Sequence, residues 1–117
     1  MSWEDELRTE FERAEAARAA GNEAQARVCA RRAAGIAVRA HLTRRGEADP
    51  RGSAYDLLQR IAADPGLDPG LREAAVHLTV RVTEAFKLPV DVDLLAEARR
   101  LCDGLLREGH PPPVGQQ

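Results

Sequence analysis

Apolar residues recur along this chain at helical spacing, and short clusters rich in Gly, Pro, Ser and Asp interrupt them. That alternation predicts five helices. Ser2 followed by Asp5 has the pattern of a capping box, and Trp3, Leu7, Phe11 and Ala14 then make one apolar stripe. Gly21 closes this first helix, and Asn22 caps the next. The second helix, over about residues 23–45, is the longest. Val28, Ala33, Ile36, Ala37 and Ala40 mark its apolar face, and alanines at 26, 30, 33 and 37 keep part of that face small. A helix with so narrow a face suits the centre of a fold, where neighbours approach closely. Gly46 and the stretch GEADPRG stop it.

Ser53 with Asp56 opens a short third helix that turns Leu57, Leu58 and Ile61 inward. In the double turn ADPGLDPG, Asp68 caps the fourth helix and Pro69 takes its first position. Leu71, Ala74, Ala75, Leu78, Val82 and Phe86 form that helix's stripe, and Pro89 breaks it. Asp91 or Asp93 caps a fifth helix faced by Leu94, Leu95, Ala98, Leu101, Cys102, Leu105 and Leu106, with Gly109 at its end. No strand-like alternation and no internal repeat appear. The expected fold is all-α, an antiparallel four-helix bundle with one additional short helix. Residues 1–108 make one domain, and 109–117 form a disordered Pro-rich tail.

Composition changes this picture in two ways. Trp3, Phe11, Tyr55 and Phe86 are the only aromatic residues among 117, so Ala and Leu must fill the core. Charge is also unevenly spread. Residues 1–15 hold six acids and two Arg, residues 16–45 seven Arg and one Glu, and the remainder is acidic again. One reading sets an acidic first helix beside a basic second one. The other makes Arg31, Arg32 and Arg39 a ridge that binds RNA or a nucleotide.

Cys29 and Cys102 stand far apart and outside any C-x-x-C pattern, which reads as two reduced thiols and no metal site. The start lacks a signal-peptide layout, and no apolar run approaches the roughly 20 residues of a membrane span. A cytoplasmic protein without a membrane partner is expected. No glycine-rich phosphate loop or nucleophile elbow is present, and no cofactor is expected.

Among the histidines, His41 near the end of the second helix suits that helix's C-terminal dipole, and His110 falls in the tail. His77 shares a polar face with Glu73, Arg81 and Glu84, as a solvent-facing histidine among charges would. Arg72 precedes it by five residues, which on a helix sets the two side chains about 140° apart. One chain's helix therefore does not aim both at the same point.

The segments AEAARAAGNEAQARVCARRAAGIAVRAHLTRRG, SAYDLLQRIA and FKLPVDVDLLAEARRLCDGLL, spanning about Ala14 to Leu106, resemble the HEPN (higher eukaryotes and prokaryotes nucleotide-binding) family of helical bundles. The polar positions depart from the family pattern. GNEAQ lacks the aromatic usual after the Gly turn, Gly35 stands where the family often has an acid, and Tyr55 where it often has His. Arg39 matches the basic residue of the second helix, and Leu88-Pro89 stands in for an aromatic-Pro break.

The resemblance implies a non-catalytic interaction module, a homodimer that partners another protein such as a nucleotidyltransferase in a toxin–antitoxin or stress system. The alternative it implies is a metal-independent ribonuclease, whose Arg and His meet across a dimer interface. Arg72 and His77 would then be catalytic, with His77 as general acid/base and Arg72 steadying phosphate charge. Glu73, directly after Arg72, replaces the small polar residue common there.

Overall fold

A computed structural model describes residues 2–80 and 93–108. The described residues are helical, without strands, in five elements: α1 (Trp3–Ala19), α2 (Glu23–Arg44), α3 (Ala54–Ala62), α4 (Pro69–Thr79) and α5 (Leu94–Glu108). Pro89, Asp91, His110 and the tail from 109 lie outside them, as do Val82 and Phe86.

Local chemistry places the boundaries. Ser2, Asn22 and Ser53 accept from the backbone N–H three residues on, and Asp68 accepts from Gly70. Ser53 and Asp56 form a complete reciprocal capping box. Of the two acids considered for α5, Asp93 does the capping, its Oδ1 accepting from Leu95 and Ala96 at 3.1 and 3.2 Å. Gly21 (φ 80°) and Gly46 (φ 102°) close α1 and α2 in the left-handed region that side chains resist. The N–H groups of Asn22 and Glu47, three residues past each helix end, then bond back to Ala17 and to Leu42, the paired arrangement of a Schellman motif.

α4 closes at Thr79, where Val80 is extended (ψ 130°). The part of the expected stripe at Val82 and Phe86 lies outside the described residues. Two causes act together. Val76, Thr79 and Val80 are β-branched and resist helical packing. The Arg31 guanidinium also donates to the carbonyls of Leu78 (2.9 Å) and Val80 (2.7 Å), satisfying acceptors that a further turn would have used.

α2 lies in the middle, packed by α1, α3 and α5, while α4 packs on α3 and α5. α1 and α2 are antiparallel around Gly21, and α4 and α5 are antiparallel, with Leu71 against Gly104 and His77 against Glu97. α2 and α5 run in the same direction. Cys102 sits at Ala33, His41 bonds to Leu105, and Arg44 to Leu106. The close approaches depend on small residues. A Cβ on Gly35 would lie 2.8 Å from Ala54 Cβ, so α2 and α3 touch there because Gly35 has none.

The core joins Ala30, Ala34 and Val38 of α2 to the leucines of α3, α4 and α5. Val28 is the exception to the α2 periodicity. It is 37% exposed and belongs with the outer, Arg-bearing face.

Candidate functional site

A groove runs along the outer face of α2, between α1 and α3. One part, about 300 Å³, is lined by Trp3 and Glu6 of α1 and by Ile36, Arg39, Ala40, Thr43 and Arg44 of α2. The other part, about 260 Å³, shares Ile36 and Arg39 and adds Glu10, Arg32, Gly35, Ala54 and Leu57. Helical spacing explains the lining. Residues 32, 36, 39 and 43 fall on one face of α2, and residues 3, 6 and 10 on the facing side of α1.

The groove has an apolar floor, an acidic wall and a basic wall. Among the described residues no ion pair joins Glu6 or Glu10 to Arg32 or Arg39. Glu10 meets Arg13 on its own helix at 3.3 Å, and its Oε2 is buried without a partner. Arg44 lies over the Trp3 ring, 5.4 Å from its centre, a cation–π contact that holds the aromatic at the groove mouth. Arg99 of α5 covers Phe11 in the same way at 4.5 Å.

The residues expected to form a basic ridge have different surroundings. Arg31 caps α4, as described above. Arg39 donates to Pro50 O (3.4 Å) and Gly52 O (3.1 Å), holding the loop that leads into α3. Arg32 is exposed on the groove rim. Two of the three guanidiniums thus serve backbone carbonyls of the fold.

Arg72 and His77 both stand on α4, five residues apart, and the structure does not bring them together in one chain. Arg72 Nε is buried with no partner among the described residues. His77 is not the solvent-facing histidine its flanking charges suggest. Only 20% of its side chain is exposed, and its Nδ1 lies 3.1 Å from Glu97 Oε1 on α5. α5 supplies that partner through tertiary packing, which the sequence near His77 does not show. Arg100 lies 3.6 Å from the other Glu97 oxygen.

His41 departs from expectation too. It is 1% exposed, Nδ1 faces Leu105 O at 3.3 Å, and Nε2 has no partner among the described residues. Burial pulls its pKa below the ordinary value, so the ring is neutral and does not act as a cation at the helix end. Both cysteines are free and buried, and burial pushes the Cys102 thiol up to about 12.

At the opposite end of the molecule, Arg18 bridges Glu23 (2.8 Å) and Asp93 (2.9 Å). Hydrogen bonding to Arg18 holds the Asp93 carboxyl below the usual aspartate range. This clamp ties the α1–α2 turn to the start of α5. Among the described residues no group of three or more metal-ligating side chains forms, and no helix is long and apolar enough to cross a membrane.

Sequence reasoning placed Trp3 and Ile36 in apolar stripes and missed the groove they frame. Its signal was present in the acidic block of α1 beside the basic block of α2. Family models, curated proteins and solved structures yield no match to this chain.

Proposed function

We propose that this protein is a non-catalytic helical interaction module whose protein-binding surface is the α1–α2 groove. The observation that carries this reading is the groove itself: half-buried Trp3 and Ile36 flanked by facing charges that do not pair with one another. A partner helix inserted there buries apolar surface and answers both walls, as in helix-in-groove recognition. The arrangement of Arg72 and His77 supports the same reading, because they diverge on one helix and a single chain does not assemble them.

In this reading α1, α2, α4 and α5 are the long members of a bundle, with α3 between α2 and α4 as the additional short helix. Its α1–α2 and α4–α5 pairs are antiparallel, but α2 and α5 run the same way, a departure from the expected antiparallel arrangement. The HEPN resemblance makes a nucleotidyltransferase-type protein the first partner to try, in a toxin–antitoxin or stress setting within the cytoplasm. The ribonuclease reading keeps one specific support, the carboxylate that orients His77, and it requires a homodimer that brings α4 of two copies together.

Two assays separate these readings. Metal-free incubation with RNA should give no cleavage beyond that of His77→Ala; cleavage lost in that variant would establish the nuclease. Ile36→Asp, with helicity retained, should abolish binding to a partner that the wild-type chain holds, and unchanged binding would remove the groove from the account.

A further inference from the structure

The outer face of the α1–α2 pair carries its acids and its bases in two parallel strips. Glu6 and Glu10 lie on α1, with Arg39 and Arg32 at the matching levels of α2. Two helices bearing opposite charge on one face are complementary to a copy of themselves. A two-fold axis lying parallel to the helices, along the mouth of the groove, brings α1 of one chain over α2 of the other. It preserves height along the helices, so Glu6 comes to the level of the partner's Arg39, and Glu10 to that of the partner's Arg32. A two-fold axis across the helices instead sets acid on acid and base on base. The charge pattern therefore selects one orientation.

Directions agree with this choice. α1 is antiparallel to α2 in its own chain, and under the parallel axis it is also antiparallel to the partner's α2. Every neighbouring pair at the contact then has the antiparallel packing of a four-helix bundle. Such a contact would cover the apolar surface of the α1–α2 face, while the exposed Val76 (48%) of α4 stays outside it. Val28 is 37% exposed, and Trp3 and Ile36 are half-buried along the same seam.

We infer that the α1–α2 face binds a second copy of this chain in a two-fold dimer, acidic α1 against basic α2. This rests on the reading of the groove as the protein's working surface and names the occupant. The 17 residues of α1 make a helix about 25 Å long, so two helices side by side offer about 500 Å² per chain. The total of about 1,000 Å² lies at the lower limit for a specific interface. The dimer is therefore concentration-dependent, with a salt-sensitive affinity. It also sets α4 outside the contact, so it does not assemble Arg72 with the His77 of another chain.

Light scattering and sedimentation across a concentration series, at low and high salt, test this with two variants. Arg32 is exposed, so Arg32→Glu leaves the fold intact and should weaken self-association about tenfold by setting Glu against Glu10 twice. Glu10→Lys should weaken it in the same way, with helicity checked by circular dichroism because Glu10 also meets Arg13. Mixed in equal amounts, the two variants should associate as tightly as the wild-type chain, since both matched pairs are restored in the heterodimer. A wild-type chain that stays monomeric to about millimolar concentration, or Arg32→Glu that dimerises like wild type, would overturn the inference. If Ile36→Asp still abolished binding to a different protein in that event, the interaction-module reading would survive with another occupant.

Discussion

Of the 17 residues of α1 only Ala14 is buried, whereas α2 buries ten of its 22. The two helices lie side by side, and the difference is one of side-chain size. Eight of those ten are Ala, Gly or Cys, which let three helices approach α2 closely. α1 carries Trp3 and Phe11, two rings too large for that narrow seam, and both remain half-exposed beneath the guanidiniums of Arg44 and Arg99. In a chain this poor in aromatics, residues that contribute so much apolar area elsewhere sit at the surface here. α2 and α5 thus bury most of their inward side chains, whereas α1 leaves part of its apolar area at the surface.

That contrast breaks most readily at the core. Leu101→Ala, at a fully buried position of α5, should cost about 2–5 kcal/mol in urea unfolding. Leu7→Ala, at a half-buried position of α1, should cost less than about 1.5 kcal/mol. Equal losses would mean that α1 is as much a part of the core as α5.

Next in size is Arg31→Ala, which strands the carbonyls of Leu78 and Val80. It should cost about 1.5–3 kcal/mol and raise amide exchange in the last turn of α4. A neutral outcome would show that α4 ends at Thr79 through its β-branched residues alone. Ser53→Ala removes half of the α3 capping box and should cost about 1 kcal/mol.

The smallest effect is set by pH. His41 has a lowered pKa in the fold, so on acidification the unfolded chain takes up a proton before the folded one does. Its contribution is complete above the ordinary histidine pKa of about 6.5 and is lost as pH falls below it. The melting temperature should therefore drop between about pH 7.5 and about pH 5.5, and His41→Leu should flatten that part of the profile. A profile unchanged by His41→Leu would assign the acid sensitivity to other groups.

Helix starts were legible in the sequence because their causes are local. Ser2, Asn22, Ser53 and Asp68 each bond within three residues of themselves. The end of α4 was not, because Arg31 reaches Leu78 from 47 positions away. The partner of His77 was hidden for the same reason, since Glu97 comes from the next described helix. Periodicity also assigned Val28 inward, although its place on the arginine face is fixed by which sides of α2 its neighbours cover. The groove belongs to three helices at once. Its charges could be read from the block pattern of the chain, but its walls depend on how closely Gly35 lets α3 approach.

Hydrogen exchange read by mass spectrometry, on dilute and concentrated protein, most directly tests where the working surface lies. Slower exchange on concentration along α1 and the outer turns of α2, with α4 unchanged, is the expected result. Protection that appeared on α4 around Arg72 and His77, with α1 unchanged, would contradict it and favour the composite ribonuclease site instead.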